Sequence, residues 1–332
     1  MSTRRPWAWP LVPFYAAGLA AKDGLRTAKV LKTQQLAWPV VSVGSLSAGG
    51  AGKTPIVIAL AEILRARGRS VDVLSRGYGR AGQGVGRVDA AAEDAAQLYG
   101  DEPVLIARRA GVPVWVANQR YEAGHAAEIA GAGIQAIHLL DDGFQHRQLA
   151  RAVDVVLVTG ADLDDSLLPA GNLREPLSAL RRADVVAVRE DESDRVLPRL
   201  KEILPASAAV WEVRRRIGFA VQPPDERPLL PFCGIARPKD FLRDLRLADV
   251  GAADAMMFPD HHSYTMQDVE SLIVALDYAQ AAGFITTEKD AVKLTVAMRE
   301  RLESRAPLTI ARLETRFIDE DRVMRDIEAG LK

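Results

Sequence analysis

The amino-acid sequence predicts an α/β fold, a doubly wound and mostly parallel sheet with a second, smaller α/β domain. Three observations carry that expectation. From Pro39 onward, short β-branched apolar runs alternate with longer runs of helical periodicity, which is how a parallel sheet covered by helices reads. The first run empties into a glycine-rich turn, then Lys-Thr and a helix, so the sheet is expected to be P-loop NTPase-like. After Phe219 a proline-rich, charged stretch interrupts the alternation, and a second, shorter strand-and-helix series follows.

The elements follow in order. Arg4 and Arg5 precede an apolar run from Pro6 to Ala21, in which Gly18-Leu19-Ala20 could pass for the cleavage site of a secretory leader. Pro6, Pro10 and Pro13 interrupt that run, and it falls short of the roughly 20 apolar residues that span a bilayer. Lys22, Arg26, Lys29 and Lys32 recur at near-helical spacing, while Trp7, Trp9, Phe14, Tyr15 and Trp38 suit a headgroup layer. Residues 1–35 are therefore expected to stay on the mature chain as a membrane-associating segment lying on an anionic surface. The plain alternative is an N-terminal helix packed on the protein's own core.

"WPVVSVGSL" reads as a strand feeding the glycine turn, and "PIVIALAEILRARG" as the helix behind it. "SVDVLS", "VPVWVA", "GIQAIHLLDD", "AVDVVLV" and "RADVVAV" read as further buried strands. "AAVWEVRRRIGFAV" is extended and leaves the first domain; "PLTIARLETRF" returns as a strand and "DEDRVMRDIEAGL" as a closing helix. The expected boundaries are 36–218 for the phosphate-loop domain, joined by 313–332, and 219–312 for the smaller one.

Composition excludes rather than identifies. With 43 Lys and Arg against 44 Asp and Glu, the net charge of −1 gives no footprint for nucleic acid, and no obligate protein partner is implied. The lone Cys233 rules out an intramolecular disulfide and fits a reducing compartment.

Chemistry concentrates in a few motifs. In Ala48, Gly49, Gly50, Ala51, Gly52, Lys53, Thr54 and Pro55, glycines let backbone N–H groups converge on phosphate oxygens at a helix N-terminus. Lys53 is placed to reach the β and γ phosphates and the Thr54 hydroxyl to ligate Mg²⁺, although Ser47 stands where the general pattern has its first glycine. Asp141 and Asp142 end an apolar strand, where an acidic residue holds the metal opposite the loop threonine; alternation along a strand lets only one of them point that way. Asp101 in "GDEP" could cap a helix or stand near an attacking hydroxyl. Arg76, Tyr78 and Arg80 in "SRGYGR", with Asn118, Arg120 and Tyr121 in "NQRYEAG", suit an anionic substrate group.

Taken together, "SLSAGGAGKTP", "SRGYGR", "GDEP", "RYEAG", "LLDDGFQH", "LPAGNLREP", "FPDHHSYT" and "TTEKDAVKL" are similar to the tetraacyldisaccharide 4'-kinase family, the lipid A 4'-kinases of Gram-negative bacteria. The resemblance runs from about Trp7 to Lys293 in consistent order. It implies transfer of the ATP γ-phosphate, with Mg²⁺, to the 4'-hydroxyl of a tetraacylated disaccharide 1-phosphate, the lipid A precursor, by a peripheral protein on the cytoplasmic face of the inner membrane. It also implies that Lys53 serves catalysis, that Asp101 is the base, that Asp141 and Asp142 lie at the metal, and that His261 and His262 assist from the smaller domain. Glu175 in "LREP" goes more loosely with the substrate, and Ser47 is no departure from the family's GGxGKTP signature. Without the resemblance, His261 and His262 would read equally well as a helix cap, and tandem neighbours point apart.

Two other classes share features of the loop. A membrane-recruited ATPase switch of the partitioning type has a signature lysine where this chain has Ala48. A GTP-dependent metal-insertion chaperone would carry a base-reading NKxD, which Thr287–Asp290, "TEKD", matches only out of register.

Overall fold

The computed structural model describes residues 5–28, 30–49, 52–223 and 227–331. Gly50 and Ala51 of the glycine loop, Lys29 of the basic series and Arg4 lie outside the described residues. The strands are β1 (Val40–Ser45), β2 (Ser70–Ser75), β3 (Gly86–Arg87), β4 (Val114–Val116), β5 (Ala136–Asp141), β6 (Val153–Val158), β7 (Val185–Arg189), β8 (Ala209–Phe219), β9 (Leu230–Cys233), β10 (Met256–Met257), β11 (Phe284–Thr287) and β12 (Leu308–Phe317). The helices of the first part of the chain are α1 (Val12–Thr27), α2 (Lys53–Ala66), α3 (Ala95–Tyr99), α4 (Asp101–Ala110) and α5 (Arg120–Ala130). The later helices are named by their residues.

The chain divides into two compact units. The first comprises Met1–Arg76, Ala117–Arg214 and Arg316–Lys332, and the second Gly77–Val116 and Arg215–Thr315. Residues 77–116, which sequence alone leaves inside the first domain, fall in the second because α4 packs against the helix Glu288–Ala291.

In the first unit the strands run in the order β8-β7-β6-β1-β5-β2 and pair in parallel. Every residue of β1, β5 and β6 is buried, which is why these segments read as mostly apolar runs rather than as an apolar-polar alternation. From β1 the chain goes to one side of the sheet for β2 and later to the other for β6, so the carboxyl end of β1 is a switch point, where open α/β sheets leave a crevice for ligands. The turn after β5 closes onto β1: Gly143 N–H donates to Val43 O at 3.0 Å, and Phe144 is wholly buried among Leu46, Val156, Val158 and Leu173.

In the second unit β10-β9-β11-β12 are neighbours that pair in parallel, and β3 pairs with β4 antiparallel. Phe232, Phe284, Val269 and Leu272 fill one side of its core, and Cys233, Phe241, Leu245 and Ile285 the other. The helix Met266–Tyr278 opens on a capping box between Thr265 and Asp268.

The N-terminal segment is a 3₁₀ turn, Pro6–Leu11, followed by α1, none of whose described side chains is buried. Pro13 falls in the first turn of α1, where its missing N–H has no partner to lose. Trp7 is 75% exposed and Phe14 77%, while Tyr15 donates to Arg174 O at 2.9 Å. Trp38 departs from the expected headgroup role, because its ring packs 5.1 Å from that of the buried His138 and against Gly131. Among the described residues no helix is long and apolar enough to cross a membrane.

Gly44 in β1 has no room for a side chain: an added Cβ would fall 2.4 Å from Phe144 Cβ and 2.7 Å from its backbone N. Gly44→Ala is therefore expected to destabilise the first unit by about 1–3 kcal/mol, the usual cost of overpacking a core. Denaturant unfolding monitored by circular dichroism reads this as a lower midpoint.

Candidate active site

Each unit carries one cluster of functional groups. In the first, Ser45 ends β1, the chain turns through Gly49 at φ +75 and Gly52 at φ +92, and Lys53 and Thr54 open α2. The Ala48 N–H donates to Asn172 O at 2.8 Å, which ties the start of the turn to the "GNLREP" segment. Lys53 Nζ lies 3.2 Å from Ser45 Oγ and 3.2 Å from Asp142 Oδ1. Pro55 occupies the first turn of α2.

Asp142 adopts φ +50, an uncommon left-handed conformation for a side-chain-bearing residue, and so turns back toward the loop. Its Oδ2 accepts from Arg174 at 2.9 Å. Burial would raise its proton affinity, but Lys53 and Arg174 outweigh that and hold the carboxyl below the usual carboxylate range. Asp141, the last residue of β5, is buried and points elsewhere, with Ser75 Oγ donating to its Oδ2 at 3.2 Å. Gln145 bridges the cluster, donating to Ser45 O at 2.9 Å and accepting from Arg174 at 3.2 Å.

Beside this lies a basic group. Arg120 is buried, and its Nε has no hydrogen-bond partner among the described residues. Burial and the neighbouring Arg76 lower its proton affinity, while Asp141 and Asp142 raise it. Burial and then Arg120, Arg151, Arg26 and Arg76 push the His146 imidazole down to about 4, so it is neutral at pH 7. Asn118 is exposed and accepts from Arg120 through its backbone oxygen at 3.4 Å. Glu175 is turned away from this group and pairs with Arg182 at 2.7 Å.

The second unit holds Asp101 as the first residue of α4, behind Gly100 at φ +96. The Glu102 N–H donates to Asp101 Oδ1 at 2.9 Å, and His261 Nδ1 lies 3.0 Å from Oδ2. Lys289 Nζ stands 3.9 Å from the same oxygen. Burial acts to raise the Asp101 carboxyl, but His261, Lys289 and Lys293 together hold it below the usual range. His261 sits at φ +58, with its N–H shared by Gly234 O at 3.2 Å and Asp260 Oδ1 at 3.1 Å. Its bond to Asp101 raises the imidazole above the ordinary histidine value. His262 points the other way, placing Nε2 3.1 Å from Asp268 of the helix cap and stacking on Phe258. Tyr78 packs its ring 5.2 Å from His261, whereas Arg80 is spent on the Gly84 carbonyl within its own loop.

Of the residues expected from sequence, the fold gathers Lys53 and Asp142 in one cluster, Arg76 and Arg120 beside it, and Asp101, His261 and Tyr78 in the other. It leads His262, Arg80 and Glu175 into internal contacts. The sequence does not single out Arg174, Gln145, His146 and Lys289, although all four stand inside the motifs "LREP", "LLDDGFQH" and "TTEKD"; for Arg174 and Lys289 the charge was the available signal. Among the described residues no three His, Cys, Asp or Glu gather into a group that could hold a metal unaided.

The family model for tetraacyldisaccharide-1-P 4'-kinase, LpxK, matches residues 4–332. The chain belongs to this family. It is 38% identical over 325 residues to the tetraacyldisaccharide 4'-kinase of Koribacter versatilis, covering 96% of this chain and 97% of that one. With the namesake from Anaeromyxobacter dehalogenans it shares 40% over 307 residues, 86% of this chain and 80% of the other. The fold is similar to that of LpxK from Aquifex aeolicus, solved in complex with ATP, at a TM-score of 0.76 and 28% identity over 98% and 99% of the two chains. The protein is thus a phosphotransferase with an alcohol acceptor, an ATP-dependent kinase of tetraacyldisaccharide 1-phosphate, and the switch and chaperone alternatives fall away.

Because the raised value of His261 depends first on Asp101, Asp101→Asn should lower it, read as a downward move of the imidazole midpoint in an NMR titration. The sign for stability follows. A raised histidine stabilises the fold below its unfolded value of roughly 6.5 and loses that contribution as pH rises through the folded value. The mutant should therefore lose stability on the acid side and little on the alkaline side.

Proposed function

We propose that the first cluster holds ATP and Mg²⁺ and that Asp101 with His261 activates the acceptor. The observation that carries this reading is the Lys53 ammonium at the N-terminus of α2, held 3.2 Å from both Ser45 Oγ and Asp142 Oδ1. A cation fixed there by two oxygens is ready to exchange them for phosphate oxygens where the helix dipole also favours negative charge. The glycine loop, Ala48 to Pro55, cradles the nucleotide.

The donor set fits Mg²⁺. Among the described residues Asp142 Oδ1 is buried with no hydrogen bond and meets the Lys53 ammonium at 3.2 Å; Thr54, next to Lys53, adds a hydroxyl oxygen, while Asp141, which accepts from Ser75, stands behind Asp142. Magnesium is usually bound by one or two carboxylates together with substrate phosphates, which agrees with the lack of a self-sufficient metal cluster among the described residues. When bound, the ion would neutralise charge on the β and γ phosphates.

The reaction then balances simply. The 4'-oxygen of the disaccharide attacks the γ-phosphorus, the bond from that phosphorus to the β-phosphate oxygen breaks, ADP leaves, and the hydroxyl proton passes to Asp101 Oδ2. His261, 3.0 Å from that oxygen, orients the carboxylate and shares the proton. Arg76, Asn118 and Arg120 hold the anionic 1-phosphate, and the Nε of the buried Arg120, without a hydrogen-bond partner among the described residues, supports that role.

The N-terminal helices dock the enzyme peripherally on the cytoplasmic face of the inner membrane. The exposed Trp7, Trp9 and Phe14 supply the apolar contact, and Lys22, Arg26 and Lys32 the attraction to anionic lipid.

With radiolabelled ATP, Mg²⁺ and the disaccharide 1-phosphate, the wild type should yield a bisphosphorylated lipid and Lys53→Ala should be slower by about 100-fold or more. A folded Lys53→Ala enzyme with near-normal turnover refutes the nucleotide assignment. Deleting residues 5–28 should reduce co-sedimentation with anionic vesicles and lower the rate on lipid more than the affinity for ATP. Unchanged sedimentation at moderate salt counts against docking by this segment.

A further inference from the structure

The run "TTEKD", Thr286 to Asp290, ends β11 and opens the helix Glu288–Ala291; Lys289 and Asp290 reach the surroundings of Asp101 and His261, and Glu288 reaches the other end of α4. Glu288 accepts from Arg109 of the last turn of α4 at 2.6 Å. Lys289 Nζ reaches the first turn of the same helix, 3.0 Å from Glu102 Oε1 and 3.9 Å from Asp101 Oδ2. Successive residues thus grip opposite ends of α4. Asp290 is wholly buried, accepts the Gly234 N–H at 3.0 Å and pairs with Lys293 at 2.7 Å. Gly234 in turn accepts the His261 N–H, so Asp290 steadies the histidine side as Lys289 does the carboxylate side.

We propose that Lys289 is a positioning residue for phosphoryl transfer, its ammonium fixed by Glu102 so that Asp101 stays ionised and turned toward His261. This rests on the reading of Asp101 as the base. The ammonium is too far from Asp101 for a hydrogen bond, so it acts through its charge and leaves Oδ2 open to a proton. The charged groups facing Asp101 are Glu102 on its own helix, Asp260 and His261 from the loop before Met266, and Lys289 and Lys293 from the segment after β11. Without Lys289, Glu102 becomes an uncompensated negative neighbour, and Asp101 and His261 both hold protons more tightly.

The test is the pH profile of kcat/KM for the lipid acceptor in wild type, Lys289→Met and Lys289→Arg. Lys289→Met should move the acid limb up by about one pH unit, the size expected for loss of an opposite charge within 4–6 Å, and Lys289→Arg should restore it. A purely structural lysine would lower the rate equally at all pH, and an unmoved acid limb in Lys289→Met overturns the proposal. The His261 imidazole midpoint, followed by NMR without substrate, should rise in Lys289→Met; a stationary midpoint overturns it too, even in a variant too slow to assay. Asp101→Asn, assayed alongside, separates the two readings. If it keeps near-normal kcat, the base assignment fails and Lys289 loses its role in transfer with it; if it is inactive while the Lys289→Met limb is unmoved, only the role of Lys289 falls.

Discussion

The parallel register of β1 against β5, with Val43 opposite Asp141, is the constraint on which the first unit depends. It brings the end of the aspartate strand level with the strand that feeds the glycine loop, so the residue after Asp141 needs only a local reversal to meet Lys53. Asp142 makes that reversal at φ +50, and Gly44 allows it by letting Phe144 pack directly on the β1 backbone. A slip of one residue would turn each β5 side chain to the opposite face and separate Asp142 from the loop. Parallel pairing also collects the turns after β1, β2 and β5 at one edge, which is how segments distant in sequence come to share Lys53, Arg76 and Asp142 as neighbours.

The two clusters solve one electrostatic problem in the same way. Asp142 and Asp101 are both desolvated carboxylates at chain turns, and burial alone would protonate them more readily. Each is held ionised by nearby nitrogen groups, Lys53 and Arg174 for Asp142, and His261, Lys289 and Lys293 for Asp101. Both partners of Asp142 touch its oxygens, Lys53 at 3.2 Å and Arg174 at 2.9 Å, whereas at Asp101 His261 makes the contact at 3.0 Å and Lys289 stands 3.9 Å away. His146 is the converse, an imidazole among arginines that keeps it uncharged and able to accept a proton from a donor.

The glycine loop and the buried strands were legible because their signals are local: a strand, flexible turn and helix need only a dozen adjacent residues to declare themselves. The pairing of Asp101 with His261 was not, since 160 positions separate them and no spacing rule connects them. The resemblance named both residues, but the choice of His261 over His262 came from the backbone at φ +58 and from Asp268, which engages the other ring. Gly77–Val116 was hidden for a related reason. It is flanked by β2 and α5 of the first unit, and only the packing of α4 on a helix nearly 180 positions later assigns it elsewhere, as the Arg109–Glu288 pair, 179 apart, illustrates. Trp38 shows the limit of reading by residue type, for an aromatic that suits a headgroup layer also suits the flank of a buried histidine.

The division of the chain into units has a consequence for how the protein can be made and altered. Crossings fall at Arg76 to Gly77, Val116 to Ala117, Arg214 to Arg215 and Thr315 to Arg316, so the second unit is assembled from two separate stretches and the first from three. No single cut in the gene yields either unit as an uninterrupted polypeptide. A ribosome finishes the glycine loop long before it reaches the strand that carries the aspartates, and completes the first unit only with the final helix, Glu320–Gly330. Truncation from the C-terminus therefore removes a structural member of the first unit, and any attempt to exchange the two units between relatives must transplant interleaved segments.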